Sequence, residues 1–537
     1  MVKRKEVIFV TLLIFIGVAT GMLQTVIDIL ATPSGKVFPL VHNYAADYYA
    51  YLSIMRQGFD GMWLATSRLT PENFPPQLID VFLLFLGHLA RWTGLTLPTV
   101  YTLARISGGL CLLLLTYVLI CLVYPVSSLK RLTALMLVIF GTYFWGWEKG
   151  FPTVPNLTHL WTEFDPMVRL SYVPHQLWAK VFMLSSFILL ISAEHKAYRL
   201  MFLAIAILLM GLSSPVALLT FIPTIFLWAF WEFGKNFLDN KSLRGLPVAP
   251  FLVAAVISLI LAWYSRAVET GVFPWNSYKI WEESVRYPIT FISYLQSLGP
   301  NFILFLIAIF AVQWKTTSGP LLAAWSFSGW IMVFGLGARL PIANIRFLEG
   351  YQFIPVSILA AEGLFFIAKK ISADKKKIQG RVIAVILTFI IFYAVIGCIA
   401  SLREHLHYLA GDIYDERIYV PEPEIGALTA LNQNSVQNAV VMAPPEVSTM
   451  VPAFTSDRVI AGHALYTFEK DNKENELAAF YSYRDLSAAR NILQKYHVSL
   501  VWFNNNDLPD NYFLSTLGLT RVFYNAAATI YKVRDIL

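Results

Sequence analysis

The decapeptide HNYAADYYAY, at positions 42–51, follows closely on the first apolar segment of membrane length. Its i, i+3, i+4 and i+7 positions are occupied by Tyr44, Asp47, Tyr48 and Tyr51. In a helix these side chains share one face, which presents a carboxylate beside flat, amphipathic rings and suits a sugar with its hydroxyls. A carboxylate partly withdrawn from water can act as a general base; the simpler alternative for Asp47 is a solvated acid or a helix cap.

The composition is that of a membrane protein. Hydrophobic residues make up 57% and charged residues 14% of the 537 positions, against roughly 45–50% and about 25% in soluble domains. The net charge of +7 does not indicate a nucleic-acid partner, because the basic cluster at 369–381 lies in one short connection between apolar runs. Such clusters are typical of the cytoplasmic loops that flank membrane spans. We therefore expect membrane lipids, and no nucleic acid, as partners of the chain.

The apolar pattern predicts about eleven spans in a multi-pass protein of the plasma (inner) membrane. The run at 7–30 is too long for a signal-peptide core, and we interpret it as an uncleaved first span with a cytoplasmic N-terminus. Further spans are expected at about 98–123, 129–147, 175–193, 200–212, 214–232, 248–265, 301–314, 319–337, 352–368 and 382–401. The segment 76–95 is interpreted as an interfacial helix, because counting it as a crossing would place the basic clusters outside.

Two domains are predicted. Residues 1–401 form the polytopic membrane domain, with external loops at 31–97 and 148–175, and residues 402–537 form a soluble extracytoplasmic α/β domain. In the second domain, strands are expected at 439–442, 459–461, 498–503 and 529–533, and a helix near 487–496. His463 follows the second strand; a lone loop histidine more often has no task, and a functional turn with Gly462 is the alternative.

The second external loop gathers polar groups immediately before an apolar span. Glu163 and Asp165 precede Arg169 and His175 in this loop. The two acids have three open interpretations: binding a divalent cation with Asp47, orienting an acceptor hydroxyl, or holding Arg169 in a surface ion pair. His175, at the start of the next span, is a candidate contact for a phosphate. The spacing matches no standard zinc site.

Three arginines lie near the external membrane boundary. Arg339 and Arg346 occupy the loop at 338–351, and Arg105 lies in the outer part of the second span. Arginine at this depth is costly unless it meets lipid head groups or a bound anion, and its planar fork binds phosphate through two hydrogen bonds. Snorkelling to lipid phosphates explains Arg346 less well, because Gly350 and a new span follow closely.

These features together resemble the C-type (GT-C) superfamily of glycosyltransferases, integral membrane enzymes that use polyprenyl-phosphate-linked sugars. The resemblance rests on Asp47-Tyr48 in a large first external loop, a second acidic loop, many short spans and an external C-terminal domain. The Arg346-Phe347-x-x-Gly350 stretch is similar to a phosphate-contacting region of bacterial members. The implied fold is a mainly α, polytopic helix bundle. No acidic pair follows the first span and no Trp-Trp-Asp motif occurs, which argues against both metal dependence and en bloc oligosaccharide transfer. A divalent cation is the one cofactor left open.

The resemblance implies a glycosyltransferase of cell-envelope glycan biosynthesis. It would move a hexosyl or pentosyl group from a polyprenyl-phosphate donor to a lipid, protein or glycan hydroxyl, with inversion. Asp47 would be the general base, the three tyrosines would flank the sugar, and the arginines would stabilise the departing phosphate. The alternatives are a transporter or flippase for a lipid-linked or anionic solute, and a non-catalytic transferase-like membrane protein. Transporters usually contain matched broken helices in two halves, whereas only the break at 213–215 is evident.

Overall fold

The computed structural model describes residues 4–42, 44–159, 163–191, 197–240, 248–311, 318–373, 375–410 and 417–534. They fall into two compact units. The membrane unit covers Met1–Gln24, Ala104–Ser265 and Glu282–Gly411, and the site unit covers Thr25–Leu103, Arg266–Trp281 and Asp412–Leu537. Residues 31–97, the predicted first external loop, and the C-terminal segment therefore belong to one unit. The boundary predicted at 402 lies inside a helix that runs from Lys376 to Ala410.

Most of the chain is helical, as the sequence predicts. Among the described residues, eight segments are long and apolar enough to cross a membrane: Arg4–Leu30, Leu97–Val123, Pro174–Ile191, Pro215–Leu238, Val248–Gly271, Ser318–Arg339, Asn344–Ser372 and Lys376–Leu409. The spans predicted at 129–147 and 200–212 correspond to the helices Ser128–Phe140 and Ala197–Ser213, of 13 and 17 residues. These helices are shorter than the ~20 residues that cross the hydrocarbon core. Eleven membrane spans therefore stay a prediction.

One further apolar segment is sharply bent. The helices Phe291–Leu298 and Pro300–Ala308 meet at 97° and pass the span criteria only together. Gly299 forms the corner with φ 64°, and a Cβ at this position would lie 1.7 Å from the carbonyl oxygen of Thr142. Only glycine fits such a positive φ and so close a backbone approach. Pro300 then begins the second helix without needing an amide donor. Because of this bend, the helix that lies within the span predicted at 301–314 is Pro300–Ala308, and it reaches the length of a span only together with Phe291–Leu298.

The site unit combines short helices with a mixed sheet. Its helices are Ala45–Phe59, Val81–Thr93, Glu422–Asn434, Pro445–Ser448, Val451–Phe454, Lys470–Tyr481, Leu486–Lys495 and Asn511–Thr516, and Trp275–Ser284 begins in it. The five-stranded sheet has the order Arg458–Val459, Val440–Met442, Val498–Asn504, Ala528–Val533 and Leu519–Tyr524. The first three strands are parallel and the last two pair antiparallel. Four of the five strands and the helix near 487–496 occur where the sequence predicts them; Leu519–Tyr524 was not predicted.

Aromatic and aliphatic side chains fill the layer between this sheet and its helices. Phe480, Phe503 and Phe513 are at most 3% exposed and pack with Leu477 and Ile492. Each such side chain contributes roughly 1.5–3 kcal/mol through removal of apolar surface from water. A second, two-stranded pairing of Lys36–Val37 with Val420–Pro421 joins the first external loop to the C-terminal segment. The sheet and this pairing hold in place the loops that carry the site.

Candidate active site

Asp47 lies in the first turn of the helix Ala45–Phe59, so the condition under which Asp47, Tyr48 and Tyr51 share one face is met. The helix starts after Tyr44, whose backbone is extended (φ −81°, ψ 124°) and whose side chain makes no capping hydrogen bond. A carboxylate in the first turn is favoured by the positive end of the helix dipole. The Asp47 side chain is 30% exposed, so it is accessible to a ligand while partly shielded from water.

His463 is the partner of Asp47. Its Nε2 lies 2.8 Å from Oδ1 of Asp47, and the ring is 6% exposed. Nδ1 of the same ring accepts a hydrogen bond from the backbone N–H of Leu465 at 3.2 Å. Because Nδ1 is an acceptor, the ring proton lies on Nε2 and is donated to the carboxylate. This geometry fixes Asp47 through Oδ1 and leaves Oδ2 for another ligand.

The loop that carries His463 is anchored to the first external loop. The hydroxyl of Thr467 accepts from the N–H of Gly462 and donates to the carbonyl of Leu69, both at 2.9 Å. The Ser67 hydroxyl donates to the carbonyl of Tyr466 at 2.7 Å. The contacts with Leu69 and Ser67 come from a distant part of the chain, so they give the histidine a defined position that no local pattern around Gly462-His463 predicts.

A cavity of about 210 Å³ has His463 in its wall, whereas Asp47, which follows the lining residue Ala46, is not itself a lining residue. It is lined by residues of both segments, among them Tyr44, Ala46, Gly462, His463, Lys470 and Glu474. Lys470 and Glu474 form an ion pair at 3.0 Å on its wall. Cavities for drug-sized ligands measure roughly 300–1,000 Å³, so this one matches a single sugar ring better than an oligosaccharide.

The three tyrosines of the predicted face have different surroundings. Tyr44 is 40% exposed and lines the cavity. Tyr48 is fully buried, its hydroxyl donates to the carbonyl of Pro39 at 2.7 Å, and its ring packs edge-on against Tyr101. Tyr51 is half-buried. Tyr44 is therefore the tyrosine best placed for a ligand, and Tyr48 belongs to the core of the site unit.

The predicted acidic loop belongs to the membrane unit and is buried. Glu163 is 2% exposed and accepts the N–H of Tyr351 at 2.6 Å; burial raises the pKa of this carboxyl. Asp165 accepts the N–H of Met167 at 2.8 Å. Arg169 is 2% exposed, hydrogen-bonds the carbonyl of Gly141 and lies 4.6 Å from the centre of the Phe353 ring. A surface ion pair with Arg169 is therefore wrong, because its guanidinium is buried. His175 is the second residue of the helix Pro174–Ile191.

The three predicted phosphate ligands also differ in surroundings. Arg346 is held between two carboxylates, with Nε 2.8 Å from Glu282 and Nη1 3.1 Å from Glu349. Arg339 is exposed. Arg105 is 1% exposed and its Nε donates to the carbonyl of Ser171 at 2.7 Å. The charge of Arg346 is already balanced by protein carboxylates, so a phosphate there would compete with them.

The described residues do not form a metal site. In the described part of the chain, no three His, Cys, Asp or Glu side chains come close enough together to hold a metal ion. Asp47 has one titratable hydrogen-bond partner, His463. The predicted divalent cation thus lacks a ligand set among these residues, and no step proposed below depends on one.

No family model and no curated protein matches the chain. Solved structures do match it. The ArnT structure from Cupriavidus metallidurans bound to undecaprenyl phosphate aligns over 98% of this chain and 98% of its own length, with a TM-score of 0.55 and 10% identity. The AglB oligosaccharyltransferase of Archaeoglobus fulgidus, in complex with an inhibitory peptide and a dolichol-phosphate, aligns over 94% of this chain and 70% of its own length (TM-score 0.54, 12% identity).

The chain has the GT-C fold. A third structure with this fold, the mycobacterial arabinofuranosyltransferase AftD, aligns over 97% of this chain and 41% of its own length (TM-score 0.53, 12% identity). The predicted GT-C-like architecture is thereby confirmed. At such low identity the likeness establishes the GT-C fold alone, so the chemistry must be argued from the residues of the site.

Proposed function

We propose that the protein is a membrane glycosyltransferase that moves a sugar from a polyprenyl-phosphate donor to a hydroxyl acceptor on the extracytoplasmic side. The observation that carries this proposal is the Asp47 carboxylate, oriented by His463 beside a cavity of sugar size within a GT-C fold. A carboxylate with one oxygen fixed and the other available is suited to accept a proton. Undecaprenyl phosphate in ArnT and dolichol-phosphate in AglB support a polyprenyl-phosphate carrier.

In the proposed reaction Asp47 Oδ2 accepts the proton of the acceptor hydroxyl. The freed oxygen forms a bond to the anomeric carbon as the bond from that carbon to the phosphate oxygen breaks. The electron pair leaves with the polyprenyl phosphate, and the configuration inverts because attack and departure occur on opposite faces. Phosphate is a good leaving group, so no dedicated acid is required.

His463 acts in this mechanism as a positioning residue. Its Nε2–H holds Oδ1 of Asp47 and its Nδ1 is held by Leu465, so the carboxylate enters the reaction without having to reorient. Tyr44 offers a ring to the sugar from the wall of the cavity. The role of Arg346, with Arg339 or Arg105, as a contact of the departing phosphate stays a prediction of the sequence resemblance.

The test is transfer of a radiolabelled sugar from a polyprenyl-phosphate donor by the full-length protein in proteoliposomes. General-base catalysis is worth about 10²–10⁴ in rate, so Asp47→Asn should lower the transfer rate by at least about 10²-fold. Asp471→Asn, the same change at an exposed acid of the site unit, is the matched control. Retained transfer by a folded Asp47→Asn protein would remove Asp47 from the mechanism.

The same assay identifies the sugar and the acceptor. Donors that carry a hexosyl or a pentosyl group are each offered with lipid, peptide and glycan acceptors, and the rates are compared. If the wild-type protein transfers no sugar but moves a labelled lipid-linked sugar between leaflets, the transporter or flippase alternative takes its place. If it does neither, the non-catalytic alternative does.

A further inference from the structure

A second cavity, of about 430 Å³, lies at the opposite end of the Asp47 helix from the candidate active site. It belongs entirely to the site unit and is lined mainly by polar side chains, including Arg56, Asp60, Arg91, Asn432, Gln437 and Ser456. The mechanism proposed above uses none of these residues. Two guanidiniums beside amide and hydroxyl groups form a wall rich in hydrogen-bond donors.

The one carboxylate on this wall is already neutralised. Oδ1 of Asp60 lies 3.2 Å from Nε of Arg56 and accepts the Ser456 hydroxyl at 3.0 Å. Oδ2 of Asp60 lies 2.7 Å from Nη1 of Arg68, which is 1% exposed. Arg56 also donates to the hydroxyl of Ser456 at 3.0 Å and to the side-chain oxygen of Asn432 at 3.4 Å. Both carboxylate oxygens of Asp60 are therefore paired with a guanidinium, which offsets the repulsion that Asp60 would exert on a bound anion.

Arg91 supplies the uncompensated charge. It is exposed at the last turn of the helix Val81–Thr93. Its side chain forms no hydrogen bond or ion pair with any residue in the described part of the chain. Gln437, also exposed, adds an amide to the same cavity. A free guanidinium facing neutral donors across a cavity is the arrangement that binds a phosphate or carboxylate.

The position of the cavity determines which part of a ligand it can hold. Arg56 follows Asp47 by nine residues in one continuous helix. At 1.5 Å per residue this corresponds to about 13 Å along the axis, and nine steps of 100° place the two side chains on opposite sides. A group bound at Arg56 and Arg91 therefore cannot be the reacting hydroxyl.

We propose that this cavity binds an oxyanion, a phosphate ester or a carboxylate, carried by a sugar of the acceptor remote from the reacting hydroxyl. The acceptor is then an anionic glycan or glycolipid. The assignment to the acceptor rests on the proposed function, whereas anion binding at the cavity stands on the side chains described here. Binding energy at a remote anchor of this kind would orient the acceptor for attack.

The test is equilibrium binding to the purified full-length protein in an uncharged detergent. The probes are glucose 6-phosphate and glucuronate, with glucose as the neutral reference. We expect saturable binding of at least one anionic probe and none of glucose in the same range. Arg91→Gln removes the free charge, and Gln437→Glu adds an opposing charge without changing the shape. Each should weaken binding about tenfold, and Arg484→Gln, at an exposed arginine elsewhere in the site unit, should leave it unchanged.

The outcomes separate this proposal from the proposed function. Binding that persists in Asp47→Asn and falls in Arg91→Gln supports the cavity, whether or not the protein transfers sugar. The preferred probe identifies the anion as phosphate or carboxylate. No saturable binding, equal binding by Arg91→Gln, or tighter binding by Gln437→Glu overturns the proposal, since Arg91 would then serve only the end of its own helix. Loss of binding in Asp47→Asn would also overturn it, because the anion would then occupy the active site.

Discussion

The imidazole Nε2 of His463 lies 2.8 Å from Oδ1 of Asp47, although the two residues are 416 positions apart in sequence. The pair joins the predicted first external loop to the C-terminal segment inside one compact unit. Because Nδ1 of the ring is held by the Leu465 amide, the histidine donates to the carboxylate and does not compete for its proton. The C-terminal segment is thus part of the candidate active site.

Replacement of His463 tests its positioning role. His463→Leu removes the donor to Asp47, and we expect kcat to fall about 10–100-fold, because a hydrogen bond to a charged group is worth about 1.5–3 kcal/mol. His463→Gln keeps an N–H donor and should retain most of the activity. KM for the donor should change little in both variants. Equal losses in the two variants, or a change in KM alone, would contradict a positioning role.

Tyr44 and Tyr48 form a matched pair for testing the cavity. Tyr44 lines it, so Tyr44→Ala should raise KM several-fold with little change in thermal stability. Tyr48 is buried with its hydroxyl bonded to the Pro39 carbonyl, so Tyr48→Phe should lower the free energy of unfolding by about 1 kcal/mol and leave KM unchanged. Melting curves and initial rates measure both effects. A raised KM in Tyr48→Phe would restore this tyrosine to the predicted sugar-binding face.

Arg346 is expected to affect both stability and donor binding. Arg346→Ala leaves the carboxylates of Glu282 and Glu349, 9% and 3% exposed, without their guanidinium. Removing one partner of a buried ion pair costs about 3–5 kcal/mol, so the melting temperature should fall markedly. Arg339→Ala, at an exposed position, should change stability by no more than about 0.5 kcal/mol.

Undecaprenyl-phosphate binding by the folded fraction of Arg346→Ala then tests the phosphate role. We expect weaker binding than in the wild type. Unchanged affinity would leave Arg346 with a structural task only.

Asp457 predicts a pH dependence of stability. It is fully buried, and burial raises the pKa of its carboxyl from 3.8 to about 6, although Ser435, Thr455 and Arg68 offset part of the effect. Between these values the folded protein binds this proton more strongly than the unfolded chain does. Asp457 therefore contributes stability at low pH that is lost as the pH rises from about 4 to about 6.

Asp457→Asn mimics the protonated form and should remove this slope. At pH 7 it should raise the free energy of unfolding by up to about 3 kcal/mol. Melting temperatures of both proteins, measured in an uncharged detergent across the acidic range, test the expectation. Parallel curves for wild type and variant would contradict it.

Local sequence patterns predict most of the helices and strands described here, but they do not predict contacts between residues that are far apart in the chain. The Asp47 helix and four sheet strands follow from periodicity within a few residues. The strand Leu519–Tyr524 was missed because it lies at an exposed edge of the sheet, where no buried face imposes alternation. Tyr48 shares the predicted face with Asp47, and only packing against Tyr101 reveals that it is buried. His463 had no local feature to indicate its distant partner.

The origin of the Asp47–His463 pair in two remote segments affects how the protein matures. A ribosome adds Asp47 to the nascent chain 416 residues before it adds His463. A partly made chain therefore holds Asp47 without the histidine that positions it, and a product truncated before His463 would lack the Nε2–H donor to Oδ1 of Asp47. The proposed transferase activity would reach its full rate only after His463 has been synthesised.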